Sequence, residues 1–174
     1  MKNINIAIAG LGNVGSALIT SILDNKDYII NKSNINLNII GISAKNFNKK
    51  RNFDINNFKW FEEPIELIKE DNLDVFIELI GTEKGISYDL VSNALKNKLH
   101  VITANKALLA NCGNELFDLA EKNNVSLLYE ASVAGGLPII KIIKDSLFLN
   151  KINKISGILN GTTNFILSEM YKKN

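Results

Sequence analysis

Short runs of apolar residues alternate along the chain with stretches in which apolar residues recur every three or four positions. Unbroken apolar runs predict strands that are buried on both faces, and the periodic stretches predict amphipathic helices. The predicted strands are residues 4–9, 37–43, 74–80, 100–103, 125–129 and 151–159. The predicted helices are residues 13–23, 64–70, 85–97, 106–122, 138–149 and 162–171, with a polar loop and short helix at 44–60. This order predicts a parallel sheet with right-handed crossovers.

The alternation of strands and helices divides the predicted fold near residue 130. Residues 1–130 predict a complete α/β unit, a Rossmann-type doubly wound parallel sheet with helices on both faces. Residues 131–174 add a helix, a strand and a helix, which we interpret as the opening elements of a second domain.

Composition and charge narrow the classes of function. The 174 residues are 46% hydrophobic, and the net charge of +2 comes from lysines scattered among acids, which argues against a nucleic-acid surface. No run approaches the roughly 20 apolar residues of a membrane span, and a strand begins at once, so we expect no signal peptide. The single cysteine, Cys112, suits a reducing compartment. We therefore expect a cytoplasmic protein that binds neither nucleic acid nor membrane.

A glycine-rich loop follows the first predicted strand and opens the first helix. It has the pattern G-x-G-x-x-G, which lets the backbone turn tightly, approach a pyrophosphate and pack the helix on the strand. The motif predicts dinucleotide binding, with a purely structural turn as the alternative. The loop consists of Gly10, Leu11, Gly12, Asn13, Val14 and Gly15.

The end of the second strand bears on the choice of dinucleotide. An acid there would bind the adenosine ribose and favour NAD, but this strand ends in Ser43 and is followed by Lys45. A hydroxyl and a cation accept a 2′-phosphate, so we favour NADP, with NAD still possible. Lys45 as a plain surface lysine is the alternative, and the basic run 49–51 is either a solvated loop or a further phosphate contact.

Lys106 follows the fourth predicted strand and begins a helix. The carboxyl end of a parallel strand is where ligands bind, and an ammonium group there can polarise a carbonyl oxygen or donate a proton to it. A cation is unfavourable at a helix N-terminus, so a role in a site is favoured over a lysine that points to water.

Two loops late in the chain offer oxygen and amide groups. Glu130 precedes a loop of small residues, where a carboxylate and several carbonyl oxygens would suit a hard cation; a solvated surface loop is equally consistent. Residues 157–167 run from an apolar segment through Asn160, Thr162, Thr163 and Asn164 into a helix. Either threonine can cap that helix, but capping explains only one of the four residues.

Taken together, these motifs resemble those of homoserine dehydrogenases. The resemblance spans almost the whole chain and rests on the glycine loop and four further segments, residues 77–82 (Ile-Glu-Leu-Ile-Gly-Thr), 103–106 (Thr-Ala-Asn-Lys), 130–136 (Glu-Ala-Ser-Val-Ala-Gly-Gly) and 157–167. It implies the NAD(P)-dependent reduction of L-aspartate 4-semialdehyde to L-homoserine, toward threonine and methionine. Another aldehyde-type dehydrogenase with this nucleotide fold is a less favoured reading.

The resemblance also implies roles for particular residues. The glycine loop and Thr82 would contact the cofactor, Lys106 would lie near the nicotinamide and the substrate, and Asn160 would line the junction between two domains. A monovalent cation, sodium in the family, would be held by Glu130 and the backbone oxygens of Val133, Gly135 and Leu137.

Members of this family continue well beyond 174 residues, with carboxylates that bind the substrate amino group, a second lysine and a dimerisation sheet. The resemblance therefore implies that residues 1–130 form the cofactor domain and that residues 131–174 begin an α+β catalytic and dimerisation domain of a homodimeric enzyme. We expect this chain to be truncated and its independent activity to be poor. The alternative is a cofactor-binding module that requires a separate second half.

Overall fold

The computed structural model describes residues 1–157 and 160–173. Within them lies a five-stranded sheet in which all neighbouring strands are parallel, in the order β2-β1-β3-β4-β5. This confirms the predicted doubly wound α/β fold. The strands are β1 (Lys2–Ala9), β2 (Ile35–Ser43), β3 (Val75–Glu78), β4 (His100–Thr103) and β5 (Leu127–Leu128).

Helices connect the strands and continue after the last one. Short 3-10 segments occur at Ile55–Asn57, Pro64–Lys69 and Glu130–Ser132. The α-helices are α1 (Asn13–Asp24), α2 (Lys26–Ser33), α3 (Ile86–Lys96), α4 (Lys106–Lys122), α5 (Ile139–Lys141, continued by a π-turn over Ile142–Ser146) and α6 (Gly161–Lys173).

Alternate residues of the strands face two separate apolar clusters, one on each side of the sheet. In β3, Phe76 packs with the cluster under α3 and α4, whereas its neighbour Ile77 packs with the cluster under α1. Both clusters are fully enclosed at their centres, since Phe76, Ile8 and Leu116 have no exposed surface. The period of two along each strand therefore builds a layer of helices on both faces of the sheet.

The order in which strands are added to the sheet reverses at β1. β2 pairs with one edge of β1, and β3 then pairs with the other. Backbone hydrogen bonds link the ends of the three strands: Gly10 N–H donates to the Ser43 carbonyl at 2.9 Å, and Leu79 N–H donates to the Ala9 carbonyl at 2.7 Å. Such a switch point opens a crevice at the carboxyl edge of the sheet.

Several boundaries differ from the sequence-based prediction. Helix α2 was not predicted, because none of its residues is buried and it has no apolar stripe to read. The segment that begins at Pro64 is a 3-10 helix, and β5 keeps only two of the five residues predicted for it. The helix predicted for 138–149 is only α5 and its π-turn.

The strand predicted at 151–159 was wrong for residues 151–157, which are not in a strand; residues 158 and 159 lie outside the described residues. An apolar run becomes a strand only where another strand offers hydrogen bonds, and residues 151–157 pair with neither edge of the sheet.

No helix in residues 1–157 and 160–173 combines the length and the apolar character that crossing a membrane requires.

Candidate functional site

A cleft of about 980 Å³ opens at the carboxyl ends of β1, β2 and β3. This is the switch point of the sheet, and the volume falls in the range of cofactor pockets. The walls come from the glycine loop, the segment after β2 and the loop after β3. The residues that line the cleft include Gly10, Leu11, Gly12, Ser43, Lys45, Phe47, Lys49, Arg51, Trp60, Glu62, Glu63, Ile80 and Thr82.

The glycine loop has two positions that no side chain could occupy and one that is open. A Cβ on Gly10 would lie 2.4 Å from the Leu79 backbone, at a φ of +101°, and a Cβ on Gly15 would lie 1.9 Å from the Gly10 carbonyl oxygen. By contrast, nothing lies within 4 Å of a Cβ built on Gly12, which is the N-cap of α1. The free N–H groups of the first turn of α1 therefore face open space, where an anion can approach them.

Cations and acids share the mouth of the cleft near the end of β2. Lys45, Lys49 and Arg51 line it together with Glu62 and Glu63, so the mouth carries one net positive charge. The Arg51 guanidinium donates hydrogen bonds to the carbonyls of Asn46, Phe47 and Lys49. These bonds hold the loop to which Arg51 itself belongs, so the guanidinium is already engaged. The two lysines carry the charge that a ligand can reach.

An aromatic pair stands beside these cations. Phe47 and Trp60 meet edge to face, with ring centroids 5.0 Å apart, and Arg51 lies 6.0 Å from the Trp60 ring. Both rings line the cleft, and Phe47 is 42% exposed, so they offer an apolar surface for a planar group. The sequence reading missed this pair, although two aromatics flanking a polar basic segment were the available signal.

Thr82 lines the cleft on the side opposite to Lys45 and is held from two directions. Its carbonyl accepts a hydrogen bond from the Asn105 amide at 2.7 Å, and its hydroxyl lies 2.7 Å from the Ser87 hydroxyl. The Ser87 hydroxyl donates in turn to buried Glu78. The sequence reading gave Glu78 no role, but an acid inside an apolar strand was a readable signal, because a buried carboxylate must be hydrogen-bonded.

Lys106 is the first residue of α4 and is exposed. The preceding residue, Asn105, caps this helix by accepting from Leu108 N–H at 3.0 Å, and its side-chain amide reaches Thr82. The backbone of Lys106 therefore lies next to the Thr82 side of the cleft, but Lys106 is not part of the cleft wall. Within residues 1–157 and 160–173, none of the ion pairs involves it.

Glu130 binds backbone amides of the segment that follows its loop. One carboxylate oxygen accepts from Ile140 N–H and the other from Lys141 N–H, each at 3.1 Å. The loop between them is a tight turn in which Ala134, Gly135 and Gly136 all have positive φ. In the described part of the chain, no cluster of three or more His, Cys, Asp or Glu side chains is placed to hold a metal.

Asn160 caps α6, because its side-chain oxygen accepts from Thr163 N–H at 2.8 Å. The expected cap by Thr162 or Thr163 was therefore wrong: the residue before the helix has the free backbone geometry that capping requires. Asn160 is exposed and lies outside the wall of the cleft.

The structure thus gathers some of the predicted site residues and separates others. The residues gathered in the cleft wall are Gly10, Leu11, Gly12, Ser43, Lys45 and Thr82. The residues outside that wall are Asn13, Val14, Gly15, Lys106, Glu130, Val133, Gly135, Leu137 and Asn160. His100 has a structural role, since its Nδ1 accepts from Ser126 N–H at 3.0 Å.

Family models match nearly all of the chain. Residues 10–130 match the model described as homoserine dehydrogenase, NAD binding domain, and residues 138–174 match the model described as homoserine dehydrogenase. The first match covers the glycine loop, the cleft and all strands after β1, which indicates a nicotinamide cofactor.

Relatives and solved structures agree with the family models. The chain is 42% identical over 99% of its length to a homoserine dehydrogenase of Neisseria gonorrhoeae and 39% identical to that of Bacillus subtilis, and it spans 39% and 40% of those proteins. A crystal structure of the Thiobacillus denitrificans enzyme superposes with a TM-score of 0.87 at 36% identity, over 99% of this chain and 40% of that one. The chain spans about two fifths of the curated relatives that it matches. It belongs to the homoserine dehydrogenase family, whose members are oxidoreductases.

Proposed function

We propose that this chain is the cofactor-binding part of a homoserine dehydrogenase that binds NADPH in the cleft and reduces L-aspartate 4-semialdehyde to L-homoserine. The observation that carries the proposal is the glycine loop, which is tightly packed at Gly10 and Gly15 but leaves space above Gly12 for a pyrophosphate. When bound, the cofactor would supply a hydride to the aldehyde carbon, and a proton would have to reach the aldehyde oxygen.

Residues on opposite sides of the glycine loop would bind the two halves of the cofactor. The adenosine half would lie between the Phe47–Trp60 pair and the lysines after β2, with the 2′-phosphate near Ser43 and Lys45. The pyrophosphate would lie on the loop from Gly10 to Gly15, including Asn13 and Val14 of the first turn of α1. The nicotinamide half would then extend towards Thr82 and Lys106.

Lys106 would act on the substrate rather than on the cofactor alone. It begins α4, where the positive end of the helix dipole raises the cost of a second positive charge, and a bound oxyanion would offset that cost. Its ammonium group would stabilise the oxygen of the aldehyde as negative charge develops there, or donate a proton to it.

The loop after β5 would organise the boundary between two domains, with residues 1–130 as the cofactor domain and residues 131–174 as the start of the catalytic one. A sodium ion would be held by the Glu130 carboxylate and the backbone oxygens of Val133, Gly135 and Leu137, which belong to the turn in which Ala134, Gly135 and Gly136 have positive φ. The ion would neutralise the carboxylate and brace this turn. Asn160 would lie at the same boundary, and the whole protein would be a cytoplasmic homodimer.

Fluorescence of Trp60 tests cofactor binding, because it is the single tryptophan of the chain and lines the cleft. We expect saturable quenching by NADPH in the wild type. Lys45→Gln should weaken NADPH about tenfold with little change for NADH, since a tenfold loss corresponds to about 1.4 kcal/mol, the scale of one charged hydrogen bond. Lys50→Gln is the matched control, because Lys50 is the neighbouring lysine outside the cleft wall. Equal losses for both cofactors in Lys45→Gln would contradict the choice of NADP.

A second candidate function is a module that binds the cofactor but requires a separate partner for catalysis. It is favoured by the exposed apolar side chains of the last segment, such as Phe148 and Phe165. An assay of NADPH absorbance with aspartate semialdehyde separates the two candidates. Steady-state consumption by this chain alone supports a self-sufficient enzyme, whereas binding without consumption supports the module.

A further inference from the structure

Glu78, the last residue of β3, is a completely buried carboxylate whose partners are all hydrogen-bond donors. One of its oxygens accepts from Ile80 N–H at 2.9 Å, Gly81 N–H at 3.1 Å and the Ser87 hydroxyl at 2.8 Å. The other accepts from the Thr103 hydroxyl at 2.6 Å. Among residues 1–157 and 160–173, no ion pair includes Glu78. Such a group is costly to bury, so its four bonds indicate a specific task.

The bonds of Glu78 belong to a closed ring that joins two loops at the edge of the cleft. From Ser87 the ring passes to the Thr82 hydroxyl at 2.7 Å, and from the Thr82 carbonyl to the Asn105 side chain at 2.7 Å. Asn105 N–H then donates to the Thr103 hydroxyl at 3.0 Å, which returns to Glu78. The loop after β3 and the start of α4 are therefore held in one arrangement.

The direction of the protons in this ring decides what Thr82 offers to the cleft. The single hydroxyl proton of Ser87 is committed to Glu78, so the Thr82 hydroxyl must donate its own proton to Ser87. Thr82 is exposed and lines the cleft, and its oxygen is left with acceptor lone pairs. The acceptor oxygen of Glu78 thereby fixes, through Ser87, a hydrogen-bond acceptor on Thr82, which Glu78 itself does not contact.

We propose that Glu78 is a positioning residue that presents Thr82 as a hydrogen-bond acceptor for an N–H or O–H donor on the nicotinamide half of the cofactor. The ring lies on the β3–β4 side of the glycine loop, whereas Lys45 lies on the β2 side, and a dinucleotide crosses the switch point from one side to the other. This inference rests on the proposed binding of NADPH. The donors of the nicotinamide half are its carboxamide N–H and its ribose hydroxyls.

The experiment compares two ligands in the full chain, both followed through Trp60 fluorescence. NADPH has both halves, whereas 2′-phospho-adenosine 5′-diphosphate lacks the nicotinamide riboside. Ser87→Ala breaks the ring, and Ser92→Ala is the matched control, because it removes a buried hydroxyl from the same helix that reaches only the Asp89 carbonyl. Glu78→Gln keeps the size of the side chain and replaces one acceptor oxygen with a donor.

We expect Ser87→Ala and Glu78→Gln to weaken NADPH by about tenfold and the half-ligand by less than about twofold, and Ser92→Ala to leave both unchanged. If Glu78→Gln does not fold, Ser87→Ala still decides the question. The inference is overturned if Ser87→Ala weakens both ligands equally or leaves NADPH as tight as Ser92→Ala does. If the wild type binds neither ligand, the proposed function fails as well.

An NADPH analogue with an acetyl group in place of the carboxamide identifies the donor. If the carboxamide N–H is the partner of Thr82, the analogue binds wild type and Ser87→Ala equally. If a ribose hydroxyl is the partner, Ser87→Ala still weakens the analogue about tenfold. Either result supports Thr82 as the acceptor, provided that the first experiment shows the loss for NADPH.

Discussion

The region up to Ser132 and the region from Val133 to the end of α6 use similar residues in different ways. Before Ser132, apolar side chains alternate across a sheet and are enclosed by helices on both faces. After Ser132, none of the described residues is buried, and Phe148, Leu149 and Tyr171 are among the most exposed side chains. The comparison shows that an apolar pattern stabilises a fold only where a second layer covers it.

A large effect should separate the phenylalanines of the two regions. Phe76→Ala should lower the free energy of unfolding by about 3–5 kcal/mol, because the side chain is fully buried between β3 and α3. Phe165→Ala in α6 is the control, with 65% of the residue exposed, and it should change stability by less than about 0.5 kcal/mol. Urea denaturation measures both. A comparable loss at Phe165 would mean that α6 is covered in solution.

A smaller but still clear effect should separate two glycines. Gly10→Ala should cost about 2–3 kcal/mol, since its φ is positive and the new methyl group would meet the Leu79 backbone at 2.4 Å. Gly161→Ala has open space at the first residue of α6 and should be neutral, or stabilising by up to about 1 kcal/mol. Urea midpoints that fall equally for both variants would contradict the difference.

A modest effect should follow from a cation–π contact that, together with the hydrogen bonds of Glu130, links the two regions. The Lys144 ammonium lies 4.9 Å from the centre of the Tyr129 ring and 5.7 Å from that of Phe117. Lys144→Met removes the charge but keeps a long side chain, so it should weaken the docking of α5 and its π-turn by about 0.5–1 kcal/mol. Hydrogen exchange of residues 139–146 measures this, with Lys141→Met as the control. Unchanged protection would show that Glu130 alone holds the segment.

The smallest effect is a pH dependence confined to the first region. The pKa of Tyr88 on α3 is raised above 10, mainly because its hydroxyl donates to the Glu115 carboxylate on α4, and also through burial and nearby negative charges. A tyrosine whose folded pKa exceeds its unfolded value stabilises the fold below pH 10 and loses that contribution as the pH rises through the folded pKa.

Denaturation of Tyr88→Phe between pH 8 and 11 measures this contribution. The variant should lose less stability than the wild type above pH 10, and Tyr171→Phe, at an 87% exposed position, should follow the wild type. Identical curves for all three proteins would remove Tyr88 as a source of the pH dependence.

Local sequence patterns predicted much of the fold and part of the site. The bounds of β4 and α4 match the prediction to the residue. A short buried apolar run favours a strand, and a long amphipathic stripe favours a helix. The glycine loop was also predictable, because the spacing of its glycines is what a tight turn from a strand into a helix requires. Lys45, which was singled out by its position just after β2, and Thr82, which was named through the family resemblance, both line the cleft, and their contact with a cofactor stays a prediction.

Other features depended on distant contacts that no local pattern contains. Residues 151–157 have an apolar pattern suited to a strand, yet pair with neither edge of the sheet. The aromatic wall of Phe47 and Trp60 forms because the chain folds back after β2 and Trp60 pairs with Ile42 of that strand. Lys106 was predicted as a site residue, but its separation from the cleft wall was not readable from its place at a helix start.

The sequence by itself determined the parallel sheet, the crevice at its carboxyl edge and the family, because hydrophobic period and glycine spacing are local properties. Only the tertiary structure decided what Glu78 does. In the sequence, Glu78 is simply one acid in an apolar strand. Its role follows from its hydrogen bonds with Ser87 and Thr103, which belong to two other elements. A hydrogen-bond ring of this kind exists only after the strands have paired, since its members are brought together by the sheet rather than by the chain.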